Sequence, residues 1–329
     1  MPASYRSRPL LQPDTAWAVR TRATPTPPLR PNRTGLTPAP RRTRAGNLPA
    51  PCRACVTMRR NMTIAPHPLD EAIRLTPIDT NRFAGHTSPA YWGQVAPFGG
   101  VTAATILNAA LLRPERLGDP LTLTVNYAGP IRPGPFEVET RLMRTNRSTQ
   151  HWAVQLVQGE AREVMISAIV VFAVRRPTWS RTEARMPDVP AAAACPTAPR
   201  GRDMAWLERY DLRPVRGRLM QPNPDSITHG WIADHPARAL DFPALASICD
   251  AFFPRLFLLR PTPTPIGTVS LNVYFHVDTA TLALQGSAPV LGVAEGQVYN
   301  AGFFDQHGQL WGEGGVLLAT THQIVWYKE

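Results

Sequence analysis

The sequence predicts an α+β fold whose antiparallel sheet is built from two similar halves. Three observations carry this reading. A helical pattern followed by several strand patterns occurs twice, before and after a Pro/Ala/Arg-rich stretch at about 177–203. Runs of strands after a helix favour antiparallel pairing over the strand–helix–strand alternation of a parallel sheet. The charge is also segregated. Residues 1–61 carry 12 Arg, no Lys and one acid, Asp14, so the formal net charge of +11 belongs to the first fifth of the chain. The neutral remainder is long enough for about two average domains with a sizeable core.

Residues 1–61 contain eleven Pro among Arg, Thr and Ala, without apolar periodicity. Such a segment cannot offset its ordering entropy and is expected to be disordered. Three origins fit it: a stretch translated ahead of a true start at Met58 or Met62, an Arg-rich targeting peptide, or a nucleic-acid-binding arm. The abrupt change of composition near Met62 favours the first. The neutral body gives no reason to expect a nucleic-acid partner. No run of about 18 apolar residues suggests a membrane span, and no apolar core of a secretory signal opens the chain. The four cysteines, at 52, 55, 195 and 249, make no disulfide framework, which points to a reducing cytoplasm. Cys52-Arg-Ala-Cys55 is a lone C-x-x-C without a second pair.

In the first half, Phe98-Gly99-Gly100 opens an Ala-rich stretch to about Arg113, polar only at Thr102, Thr105 and Asn108. This is a helix buried on nearly all sides, with one thin polar stripe. Leu121, Leu123, Val125 and Tyr127 then alternate with Thr122, Thr124 and Asn126 as a strand. Further strands fit 136–144, 150–158 and 164–174. In the second half a helix fits 242–259. Val269, Leu271, Val273, Phe275 and Val277 then alternate with polar residues from Thr268 to His276. More strands fit from 286 onward, 292–304 and 314–326, with Asp305-Gln-His-Gly308 as a hairpin-turn candidate.

Asp250 is the strongest chemical signal. It is the only charged residue between Asp241 and Arg255, and its neighbours are Ile248, Cys249, Ala251, Phe252 and Phe253. A carboxylate in such surroundings loses hydration, which raises its pKa toward neutrality and suits a general base. The plainer reading is a wet stripe on the helix, since Asn108 falls opposite Asp250 when the halves are aligned. Thr268 begins a strand, where Thr is ordinary, and Gln323 sits in a late strand as a half-exposed residue would. Gly99 and Gly100 could offer free N–H groups to an anion or an oxyanion, or could serve only close helix packing. His322, next to Gln323, should face the other side of its strand. The chain lacks the nucleophile-elbow, phosphate-loop, dinucleotide and zinc-protease motifs, and its eight His show no tight metal spacing.

The order of these pieces resembles the double hot-dog acyl-CoA thioesterases of type II and their thioesterase-like relatives, over about residues 70–329. The matching pieces are Phe98-Gly-Gly100, Thr124-Val-Asn-Tyr127 with Arg132-Pro-Gly134, and Val138 to Ser148. In the second half they are Cys249-Asp-Ala-Phe-Phe-Pro254, Thr268 ahead of Tyr274-Phe-His276, and Ala319-Thr-Thr-His-Gln323. The resemblance implies a double hot-dog, two repeats each of a long helix wrapped by a curved antiparallel sheet. Repeats would span 62–180 and 225–329, with a linker at 181–224. It implies water-mediated hydrolysis of acyl-CoA by Asp250, Thr268 and Gln323, with Gly99 and Gly100 as backbone donors and no metal or other cofactor. The first repeat departs from the set, with Asn108 opposite Asp250 and Leu121 opposite Thr268, so one site per chain is expected.

The partners implied are an acyl-CoA substrate and a second copy of the chain in a cytoplasmic homodimer. Arg144, Arg147 and Arg255 are the candidates for coenzyme A phosphates, and Trp92, Phe252, Phe253 and Leu256 for an apolar lining. A non-catalytic acyl-CoA or lipid binder, or a hot-dog hydratase or dehydratase, are the alternatives. The latter would need an Asp/His pair, and none is evident near Asp250.

Overall fold

The computed structural model describes residues 65–199 and 204–329. The 1–61 tail, with Cys52 and Cys55, lies outside the described residues. The first half opens with α1 (Pro68–Ala72), whose first turn is capped by the His67 ring accepting from the Leu69 N–H. A two-strand ladder, β1 (Thr76–Pro77) and β2 (Arg82–His86), leads to α2 (Gly99–Leu111). Ala103, Ala104, Ile106, Leu107, Ala109 and Ala110 of α2 are fully buried. Its polar stripe is satisfied internally rather than by water. Thr102 and Thr105 donate to the carbonyls of Phe98 and Val101, and Asn108 donates to the Ile73 carbonyl at 2.9 Å.

Four long strands follow: β3 (Asp119–Tyr127), β4 (Pro135–Thr145), β5 (Thr149–Gln158) and β6 (Glu163–Ala173). The second half supplies β7 (Tyr210–Arg216), β8 (Thr228–Asp234), α3 (Phe242–Ile248), α4 (Leu256–Leu259) and β9 (Ile266–Phe275). It closes with α5 (Thr279–Leu284), β10 (Val290–Glu295), β11 (Tyr299–Asn300), β12 (Phe303–Trp311) and β13 (Leu317–Tyr327). Among the described residues these strands form one antiparallel sheet in the order β1-β2-β4-β5-β6-β3-β9-β13-β12-β10-β8-β7, with β11 paired to β12. The halves meet where β3 pairs with β9, and Thr124 there donates to the Asn272 side chain at 2.8 Å.

Two expectations need correction. The second helix does not run from 242 to 259. It breaks after Ile248 and resumes only at Leu256. Pro254 disfavours a helical Phe253. The Phe252 ring is drawn down over Gly292 and Gly308, where a Cβ would lie 2.6 and 3.0 Å from it. Among the described residues, only the first half therefore has a long helix.

Asp305-Gln-His-Gly308 is not a turn but the middle of β12. The Asp305 carboxylate accepts from the N–H groups of Gln297 and Val298, so a turn-forming residue caps a neighbouring loop from within a strand. The chain actually turns at Ala301-Gly302, both with positive φ, and at Gly312–Val316.

The 181–224 stretch holds an edge strand, β7, whose Pro214 is tolerated because only one side pairs. Ala192 and Cys195, earlier in that stretch, pack on Trp231, Leu291 and Trp311, and Trp231 Nε1 donates to the Pro190 carbonyl at 2.9 Å.

Candidate active site

Asp241 caps α3 by accepting from the Ala244 N–H at 2.9 Å, with Pro243 in the first turn where its missing N–H costs nothing. The helix ends in a tight turn in which the Asp250 N–H bonds the Ser247 carbonyl. This turn, not a wet helix face, presents Asp250, and the residue is only 9% exposed. Its Oδ1 accepts from Gln323 Nε2 at 2.8 Å, and the same amide lies 3.4 Å from the Cys249 carbonyl.

The facing wall is the start of α2. Phe98 gives this helix no side-chain cap, and the Gly100 N–H is directed at the Asp250 carboxylate. A Cβ on Gly99 would stand 2.7 Å from Asp250 Oδ2. The glycines thus admit a carboxylate to a helix N-terminus, where unpaired N–H groups and the helix dipole favour negative charge. Burial nevertheless dominates and pushes the Asp250 carboxyl up to about 7, against the opposing pull of Gln323 and Gly100. The adjacent Cys249 thiol is raised by burial and by Asp250, so it stays protonated and is a poor nucleophile.

Thr268 reaches the site's face by an irregularity. Plain alternation along β9 would set it opposite to Leu271. Leu271 stands across from Gln323 and Ser270 from Ile324, but the register then slips and Thr268 stands across from Val325. The bulge skips Val269, which is exposed, and turns Thr268 onto the face shared by Gln323 and Val325. Ile266, two residues further, packs with Val325 on that same side. No hydrogen bond joins the Thr268 hydroxyl to Asp250 or Gln323 among the described residues. His322 is exposed and faces away, as alternation requires.

Tyr127 is the residue that sequence reasoning missed. Its hydroxyl donates to the Gly99 carbonyl at 2.8 Å, and burial followed by the Asp250 charge raises its pKa well above normal. In the sequence it closes an alternating strand and one of the pieces that carry the resemblance, and nothing there names its partner. Removing the hydroxyl in Tyr127→Phe should cost about 1 kcal/mol of stability. It should also lower kcat on the order of tenfold by loosening the Gly99 peptide. Thermal unfolding and steady-state kinetics check both, and unchanged kcat would make the bond structural only.

The other expected binding residues fare differently. Arg144 and Arg147 are exposed on the β4–β5 hairpin. Arg255 is fully buried and bonded to protein oxygens, so it cannot greet a phosphate at a pocket mouth. Leu256 is core, packed with Phe304 and Val325. Phe252 and Phe253, with Ala251, line a small open cleft of about 40 Å³, whose other wall is formed by Trp231, Ile232 and Gly292.

The family described as acyl-CoA thioesterase N-terminal domain matches residues 88–173, and its C-terminal counterpart matches residues 177–327. No curated protein matches the chain. Among solved structures, a conserved protein of unknown function with the hot dog fold from Alicyclobacillus acidocaldarius is 44% identical. It covers 80% of this chain and 99% of its own, with a TM-score of 0.77. An acyl-CoA thioesterase II from Mycobacterium marinum is 19% identical over 79% of this chain and 98% of its own, with a TM-score of 0.64. The TesB protein of Mycobacterium avium subspecies paratuberculosis is 17% identical over 79% and 98%, with a TM-score of 0.63. These last two share the fold.

Proposed function

Because the chain belongs to the acyl-CoA thioesterase family and is a thioesterase, we propose that it hydrolyses acyl-CoA to a fatty acid and coenzyme A with a water activated at Asp250. The observation that carries this reading is the buried Asp250–Gln323 pair held against the start of α2. Asp250 takes a proton from water as the water oxygen attacks the thioester carbon. The C–S bond then breaks, and the same proton passes from Asp250 to the departing thiolate. Gln323 and Thr268 hold the water, each from the same face of the sheet. The Gly99 and Gly100 backbone at the start of α2 lies beside the developing oxyanion; the Gly100 N–H, directed at Asp250 in the free site, is shared with it, and fixed dipoles there lower the barrier without reorganising.

In this reading the chain is two repeats, 62–180 and 225–329, and only the second holds the catalytic set. The assembly is a cytoplasmic homodimer. A panel of short, medium and long acyl-CoA substrates, followed by release of free thiol, tests the activity. Turnover should rise with pH to a plateau above about 7, since the ionised carboxylate is the base. Saturable binding without thiol release would instead identify a non-catalytic acyl-CoA binder.

A further inference from the structure

Arg255 has no place in the chemistry described so far, yet it is fully buried, and no carboxylate pairs with it among the described residues. Burying an unpaired cation is costly unless its donors are used. Here they are. Nε bonds the Phe253 carbonyl at 2.9 Å and Gln306 Oε1 at 3.1 Å. One terminal nitrogen bonds the Ser226 carbonyl, Thr228 Oγ1 and the Ala294 carbonyl at 3.0, 2.6 and 3.1 Å, and the other bonds the Phe253 carbonyl again. The side chain therefore ties the turn that presents Asp250 to β8, β10 and β12.

Its bond to Gln306 points further. Gln306 stands directly across from Gln323 in the β12–β13 ladder, and both are 3% exposed on the inner face. Directly opposed side chains in an antiparallel pair lie about 5 Å apart at Cβ. Because Arg255 is a pure donor, it fixes Gln306 with the carbonyl end toward itself and the amide nitrogen turned away. The row thus runs Arg255, Gln306, Gln323, Asp250; hydrogen bonds join the first pair and the last, and the two Gln side chains are cross-strand neighbours with no hydrogen bond between them among the described residues. We propose that Gln306, oriented by Arg255, is a positioning residue that holds the Gln323 amide in its working orientation toward Asp250. This rests on the assignment of Asp250 and Gln323 as the water-activating pair.

The test is a kinetic double-mutant cycle on the full chain with an acyl-CoA substrate, comparing Gln306→Leu, Gln323→Leu and the double variant. Gln306→Leu should lower kcat about tenfold or more with KM changed less than threefold. The double variant should fall no more than about threefold below Gln323→Leu alone, because residues acting as a unit are not additive. Gln306→Glu guards against a failure to fold. It keeps the acceptor for Arg255 and adds a charge partner, yet loses the amide donor, so its kcat should still fall while its thermal midpoint holds or rises. Wild-type kcat in Gln306→Glu or Gln306→Leu, or effects that multiply in the double variant, would overturn the positioning role alone. A harmless Gln323→Leu would overturn the catalytic pair, and this inference with it.

Discussion

Asp250→Asn should lower kcat for acyl-CoA hydrolysis by about 10²–10⁴-fold while leaving the fold intact. The substitution keeps the shape and the acceptor for Gln323 Nε2 but removes the base. Its effect on stability has a definite sign. The folded carboxyl lies near 7 against an ordinary value of 3.8. Between those values the folded state holds a proton that the unfolded chain has released, so stability falls as pH rises through the window. The loss amounts to roughly 4 kcal/mol from this group by pH 7 and stays constant above it. Asp250→Asn lacks this loss, so its unfolding free energy should decline less than that of the wild type between pH 4 and 7. Denaturant titrations across that range check the slope. An equal decline in both proteins would mean that Asp250 is not held as a buried acid.

Replacing either glycine at the start of α2 should be nearly as damaging to turnover, for two different reasons. On Gly100 a Cβ would be driven into the Ser247 carbonyl and the Phe98 ring. The carbonyl is backbone of α3 and cannot swing aside, so Gly100→Ala must push α2 and α3 apart. A cost of about 1–3 kcal/mol or more is expected from overpacking of this kind, together with loss of activity. On Gly99 the Cβ meets the Asp250 carboxylate at 2.7 Å and the Tyr127 hydroxyl at 3.3 Å. Both are ends of side chains, so the fold should accommodate Gly99→Ala while the carboxylate is displaced. About a hundredfold loss of kcat is expected, the scale of a 1 Å misplacement. Thermal midpoints and kinetics separate the cases: Gly100→Ala loses both, Gly99→Ala mainly turnover. Near-normal kcat in Gly99→Ala would mean that the close approach to Asp250 has no catalytic consequence.

What could be read in the sequence follows from which forces act locally. The long strands were legible because period-2 burial is written into residues such as Leu121 to Tyr127 and Leu271 to Phe275, and α2 because its Ala-rich run admits no other buried element. Asp250 stood out because a lone acid in an apolar run signals desolvation on its own. The failures are mostly tertiary. The break after Ile248 depends on Pro254 and on Phe252 finding Gly292 and Gly308, on β10 and β12 and distant in sequence. The turn predicted at 305–308 was overridden by the loop that Asp305 caps. Arg255 reads as a surface cation until the oxygens of β8, β10 and Gln306 are seen around it. The placement of Thr268 is the sharpest case, since one skipped residue reverses the face that strict alternation assigns.

The pH dependence of kcat/KM, measured for the wild type and Asp250→Asn with one acyl-CoA substrate, bears most directly on the claim that Asp250 activates the water. The wild type should show a single ascending limb with a midpoint near 7, and the variant should show a residual rate without that limb. A variant that retains both the wild-type rate and the limb would contradict the account.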